Sequence, residues 1–132
     1  MPTQFLNPPG LCPTNGWTHV AFAWGKTVYV SGQVAVDERG QTVGKGDLKA
    51  QAEKTFANLQ TALKAAGVSF RDVVKMNLYV VGLKPELVPL IREVRARYVN
   101  PENPPASTLV GVSALVGSDW LIEIEVVAVV TD

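Results

Sequence analysis

The run at residues 120–130, WLIEIEVVAVV, constrains the fold more than any other stretch of the chain. Side chains alternate between faces along a strand. Ile122, Ile124, Val126, Ala128 and Val130 therefore share one face, and Leu121, Glu123, Glu125, Val127 and Val129 share the other. The first face is wholly apolar and predicts contact with helices in a core. The second carries two carboxylates among large aliphatics, a poor solution for a face in water. Such a surface predicts a cover, either another sheet or another copy of the chain. Its carboxylates then either pair with cations on the same face, for which Lys75 is the candidate, or one of them lies in an interface cleft and handles a proton or orients a water. The pattern alone leaves both readings open.

The rest of the chain supplies the partners for that strand. Residues 1–17 are rich in Pro, Gly and Asn and predict an arm without regular structure. Residues 19–24 and 27–31 predict two strands joined by a tight turn at Gly25-Lys26. Gly32 then marks a bulge or a close backbone approach. Residues 34–36 continue extended, 37–40 (DERG) carry turn chemistry, and 41–43 form a short return. Asp47 is placed to cap a helix over 48–66, with Gly67 past its end. Leu48, Ala52, Phe56, Leu59, Leu63 and Ala66 fall on one stripe at helical spacing. Residues 73–81 alternate again, with Val74, Met76, Leu78 and Val80 on one face and Lys75, Asn77 and Tyr79 on the other. A second helix starts near Pro85 or Pro89. It carries Leu87, Ile91, Val94 and Tyr98 on its stripe, with Arg92, Glu93, Arg95 and Arg97 largely outside it. Strands over 107–115 and 120–130 complete the order. Two amphipathic helices with one mostly antiparallel sheet predict an α+β layer with both helices on one sheet face, and residues 1–132 form a single domain.

Composition narrows the function. Twelve basic and twelve acidic residues give a net charge of zero, which argues against binding nucleic acid or an anionic membrane by electrostatics. One cysteine, Cys12, has no internal partner for a disulfide, and no apolar run reaches membrane-spanning length. These features predict a soluble, cytoplasmic protein.

Short motifs add little. Gly44-Lys45-Gly46 precedes a helix, yet Asp47 at the helix start would repel a phosphate, so a turn is the better reading. Gly25-Lys26-Thr27 resembles the end of a phosphate-binding loop, but Val20 stands where that loop needs its first glycine. His19 is the only histidine and has no second His or Cys near it in sequence, so a structural role is favoured over a metal site or a catalytic triad. Cys12 has no obvious activating base.

Several spaced segments carry a stronger signal. Val30-Ser31-Gly32-Gln33, the long helix ending Ala65-Ala66-Gly67, Asp72-Val73-Val74-Lys75, Asn103-Pro104-Pro105-Ala106-Ser107 and Ile122-Glu123-Ile124-Glu125 occur in that order. Together they resemble the YjgF/RidA family, also described as endoribonuclease L-PSP or translation-inhibitor proteins, from about Thr14 onward. The resemblance implies a chorismate-mutase-like α+β fold and a homotrimer whose sheets form a central barrel, with helices outside and a small-molecule cleft at each subunit interface. It also implies hydrolysis of reactive enamines and imines to a keto acid and ammonia, without metal or organic cofactor.

Carried over residue by residue, the family's last-strand glutamate falls on Glu123, the proposed catalytic group, and its serine-glycine pair on Ser31 and Gly32. Its active deaminases place an arginine after Pro-Ala to clamp the substrate carboxylate through two parallel hydrogen bonds. This chain has Ser107 there, which supplies a neutral hydroxyl and no charge. The family's N-terminal tyrosine falls near Thr18, and the asparagine of its second helix near Leu90. Losing a charge-assisted carboxylate contact costs roughly 1.5–3 kcal/mol, about ten- to a hundred-fold in binding. The chain therefore resembles an arginine-lacking branch. Three functions compete: an imine or enamine hydrolase of altered specificity, a non-catalytic metabolite-binding trimer, and a ribonuclease, the last disfavoured by the neutral charge and the lack of a basic-aromatic groove.

Overall fold

The computed structural model describes residues 3–131. A four-stranded sheet forms its centre, built from β3 (Lys26–Gln33), β4 (Val73–Val81), β5 (Ala106–Val112) and β6 (Ile122–Val130), in the order β3-β6-β4-β5. The predicted terminal strand thus lies at the middle of the sheet, antiparallel to both β3 and β4. The sheet is mixed, because β5 runs parallel to β4. A parallel return needs a crossover, and α2 (Val88–Arg95), lying between these strands in sequence, provides it.

α1 (Leu48–Ala65) begins where Asp47 Oδ1 accepts from the Ala50 N–H at 3.1 Å. It ends as Gly67 N–H and Val68 N–H bond back to the Lys64 and Leu63 carbonyls. Ala52, Phe56, Leu59 and Leu63 enter one core with Ile91 and Val94 of α2 and with Met76, Leu78, Val80, Ile122, Ile124, Val126 and Ala128 of the sheet. Both helices therefore cover the same sheet face. The α2 segment is preceded by a single 3-10 turn, Pro85–Leu87, so Pro85 opens that turn and Pro89 occupies the first turn of the helix.

Three local expectations are corrected. The segments on either side of Gly25-Lys26 do not form a hairpin. β2 (Val20–Phe22) pairs instead with β1 (Gln4–Leu6), and β3 pairs with β6. The N-terminal arm consequently contains a strand. Pairing with the long apolar β6 outweighs a local turn signal, because it satisfies the whole length of β3. The last two strands are shorter than the sequence pattern suggests, ending at Val112 and starting at Ile122. Gly32 behaves as predicted: the β3–β6 register shifts between Val30, opposite Val126, and Gln33, opposite Ile124. The short return also holds, through the bridge between Val36 and Thr42.

The other sheet face has no helix on it. Tyr29 lies in register with Val127, and Tyr79 with Glu123 on one side and Val110 on the other. Tyr29, on one edge of the sheet, is 80 % exposed, and Val110, on the opposite edge, is also exposed. Large apolar groups in the open on a sheet face are the kind of surface that association covers.

Candidate functional site

Two clusters of the residues singled out from sequence lie on different sides of the sheet. The first is formed by Ser31, Gly32 and Glu123. The β3 bulge brings Gly32 against the Glu123 side chain so closely that a β-carbon at position 32 would land on Glu123 Oε2. Glycine at this position lets the Glu123 carboxylate lie directly over the β3 backbone, and any β-carbon there would make that carboxylate swing away. Ser31 is exposed beside it, and its carbonyl accepts from Gln33 Nε2 at 3.2 Å.

The two glutamates of β6 differ in surroundings. Tyr79 Oη donates to Glu125 Oε1 at 2.6 Å. That bond, followed by partial burial and the charges of Glu125 and Glu123, raises the Tyr79 phenol above its ordinary value. Glu125 is thereby occupied. Glu123, half-buried, has no hydrogen bond or ion pair among the described residues. Lys75, the cation offered by the sequence, donates instead to Thr108 Oγ1 at 3.1 Å. The pairing reading fails for Lys75, and Glu123 has no side-chain partner among the described residues.

The second cluster surrounds Ser107. Ser107 is in register with Met76, a core residue, so it points toward the helix-bearing face, away from the face of Glu123. It lines a cavity of about 190 Å³ together with Trp17, Ile91, Arg92, Arg95 and Leu109. Thr18 is only 2 % exposed, and its N–H donates to the Pro105 carbonyl at 3.0 Å. Its neighbour Trp17 is the arm residue on the cavity. Leu90 is half-buried against the core, while Ile91, Arg92 and Arg95 are the nearby helix residues that reach the cavity. Within one chain Ser107 and Glu123 do not converge, because they occupy opposite faces and their strands are separated by β4.

Arg95 is the residue that sequence reasoning misplaced. It is 6 % exposed, where helical periodicity put it largely outside the apolar stripe. Its Nη2 donates to the Asn15 carbonyl at 3.1 Å. Gly16 makes room for it, since a β-carbon there would lie 2.8 Å from Nη2. Burial, and then the nearby Arg92 charge, lowers the Arg95 pKa. No signal for this burial was present in the sequence, since an i,i+3 pair of arginines on a helix is only mildly unfavourable and is common on solvated faces.

His19 has the structural role anticipated for it. Its Nε2–H donates to the Cys12 carbonyl at 2.8 Å, its ring meets Trp17 edge-on at 4.6 Å, and its N–H donates to Asn7 Oδ1. Among the described residues no group of three or more His, Cys, Asp or Glu side chains is arranged to hold a metal, and no helix is long and apolar enough to cross a membrane.

Comparison with known proteins gives consistent results. The model of the family described as Endoribonuclease L-PSP matches residues 10–130. The chain is 35% identical over 128 residues to the 3-aminoacrylate deaminase RutC of Acinetobacter baylyi, covering 97% of this chain and 98% of the relative. It is 31% identical over 106 residues to a 2-iminobutanoate/2-iminopropanoate deaminase of Dermatophagoides farinae, covering 80% of each. Among solved structures, the Rid family protein YyfB of Yersinia pestis superposes with a TM-score of 0.92 at 35% identity, covering 98% of this chain and 100% of that one.

Proposed function

The chain belongs to the endoribonuclease L-PSP family, the YjgF/RidA group, and from that premise we propose that it hydrolyses reactive imines or enamines in a cleft between subunits of a homotrimer, with a specificity altered by Ser107. The observation that carries this reading is the unpaired carboxylate of Glu123 held against Gly32, beside an exposed Ser31. Two relatives above 30% identity are named for deamination of such compounds, which supports the same chemistry.

The step needs little machinery. Glu123 takes a proton from water as the water oxygen bonds to the C=N carbon. The C=N electron pair passes to nitrogen, which takes that proton back from Glu123 to give the carbinolamine. Glu123 then takes the carbinolamine hydroxyl proton and passes it to nitrogen, the C–N bond breaks, and ammonia leaves as the carbonyl forms. The sum is one water consumed and one ammonia released per imine, and Glu123 returns to its starting state. An enamine enters the same sequence after protonation at carbon. The placement of Ser107 and Glu123 on opposite faces favours a cleft made by two copies, in which the Glu123 side of one meets the Ser107 side of the next. The uncovered face bearing Tyr29, Val110 and Val127 is suited to that association.

A second reading, a trimer that binds a metabolite without turnover, is favoured by one observation: the charged anchor of the deaminases is replaced by Ser107. Ammonia release from imino acids generated in situ by an amino-acid oxidase separates the two. The hydrolase reading expects release by the wild type, loss of it in Glu123→Ala, and a shift toward 2-imino acids in Ser107→Arg. Silence in all three, with a small keto acid still raising the melting temperature, would replace it with the binding reading.

A further inference from the structure

The position that lacks its arginine is not without positive charge nearby. Arg95 is the one charged side chain among the described residues that is more than nine-tenths buried, and it lines the cavity beneath Ser107. It also lines a second cavity, of about 250 Å³, again with Arg92. Two other cations near this helix are engaged elsewhere. Arg97 pairs with Glu53 at 3.3 Å and with Glu93 at 3.4 Å, and Lys49 pairs with Glu93 at 3.5 Å. Arg92 and Arg95 have no carboxylate within 4 Å among the described residues.

Burying an unpaired cation beside a like charge is expensive. Fastening the arm does not account for it. The hydrogen bond to Asn15 uses one of the five N–H donors of a guanidinium, and a neutral side chain would bond a carbonyl without the desolvation cost. A planar fork held in a small cavity, with a second arginine three residues earlier on the helix, matches the geometry that binds a carboxylate in two parallel hydrogen bonds.

We propose that α2 supplies the anion anchor that β5 lacks: Arg95, with Arg92, holds the carboxylate of a small ligand in the cavity lined by Trp17, Ser107 and Leu109. This inference deepens the deaminase reading and rests on it for the substrate class, a small carboxylate-bearing imine or enamine. Cavities of about 190 and 250 Å³ suit a metabolite of a few heavy atoms and are smaller than the usual site for a drug-sized ligand. The anchor thus comes from a helix rather than a strand, which moves the carboxylate relative to Ser107 and gives a physical basis for altered specificity.

The test is calorimetric titration of the whole protein with pyruvate and with pyruvamide, its uncharged analogue. Wild type is expected to bind pyruvate at least about ten-fold more tightly than pyruvamide, the ratio that one charge-assisted contact supplies. Arg95→Met should abolish that preference, and its melting temperature without ligand should equal or exceed that of the wild type, which a merely structural arginine would not allow. If Arg95→Met does not fold, Arg95→Lys keeps the charge and the stem but loses the fork, and should weaken pyruvate several-fold while leaving pyruvamide unchanged. No preference for pyruvate in the wild type, or a preference retained in these variants, would overturn the proposal. Ammonia release measured alongside keeps the two readings apart. Turnover that needs Glu123 but not Arg95 overturns the anchor alone. Pyruvate binding that needs Arg95, without turnover, leaves the anchor standing and overturns the deaminase reading.

Discussion

Gly32 and Glu123 approach each other so closely across the β3–β6 pairing that no side chain larger than hydrogen fits at position 32 without moving the carboxylate. Gly32→Ala therefore tests both packing and chemistry. The added methyl meets only the Glu123 side chain, so it displaces the carboxylate rather than the strands. The expected result is strongly reduced ammonia release with a urea midpoint close to that of the wild type, and an unchanged rate would show that the position of Glu123 does not matter.

Gln51 ties two separate loops to α1. Its Nε2 donates to the Gly44 carbonyl at 3.1 Å and to the Asp119 carbonyl at 2.9 Å, and its Oε1 accepts from the Leu121 N–H at 2.8 Å. Gln51→Leu keeps the volume and strands all three backbone groups, each worth roughly 1–3 kcal/mol if left unsatisfied in the interior. A loss of about 3 kcal/mol or more by denaturant unfolding is expected. A loss below about 1 kcal/mol would mean that water reaches these groups.

Thr55 points the other way. It is fully buried on α1, and its hydroxyl has no partner among the described residues. Replacing an unbonded buried hydroxyl with a methyl of similar size removes a desolvation cost. Thr55→Val should raise stability by about 1 kcal/mol, read as a higher melting temperature, and a lower one would reveal a hydrogen bond made by that hydroxyl.

Tyr79 gives a pH dependence. Its phenol is raised above about 10, first by the hydrogen bond to Glu125, then by partial burial and by the charges of Glu125 and Glu123. Above the unfolded value the folded state still holds the proton that the unfolded state has released, so stability falls as pH rises through this window. The contribution is complete below about pH 10 and disappears as pH passes the raised folded value. Denaturation midpoints compared between wild type and Tyr79→Phe from about pH 9 to about pH 11 should converge as pH increases. A constant difference would mean that the Tyr79–Glu125 bond is not formed in solution.

The elements legible in the sequence are those whose pattern is set by burial within the element itself. The α1 stripe from Ala52 to Leu63, the Asp47 cap, β4 over Val73–Val81 and the alternation of β6 reappear in the structure. Ala66, by contrast, is an exposed cap residue, and a bulge at the start of β4 puts Val73 rather than Val74 in the core. The absent β2–β3 hairpin was decided by long-range pairing to β6 and β1, which a local turn signal does not contain. Gln51 and Thr55 are polar residues on the buried side of α1. The loop groups that explain Gln51, the nearby Gly44 carbonyl and the distant Asp119 carbonyl and Leu121 N–H, are invisible to helical spacing. Arg95 was missed because periodicity treats a charge as solvent-facing, whereas here the cavity beneath β5 receives it. In the candidate site the pattern singled out Glu123 and Glu125 together. Only the Tyr79 hydrogen bond separates the occupied carboxylate from the free one.

The central claim is that a deaminase site is assembled between copies, from the Glu123 side of one and the Ser107 side of another. Subunit mixing tests it most directly. Glu123→Ala removes the proton acceptor, and Ser107→Phe fills the cavity beneath β5, so each homotrimer alone should release no ammonia above background. Refolded together in equal amounts, random trimers hold an intact acceptor beside an intact cavity at roughly a quarter of their interfaces. The account predicts recovery of about that fraction of wild-type ammonia release. A mixture no more active than its parents, alongside an active wild type, would contradict a site shared between subunits.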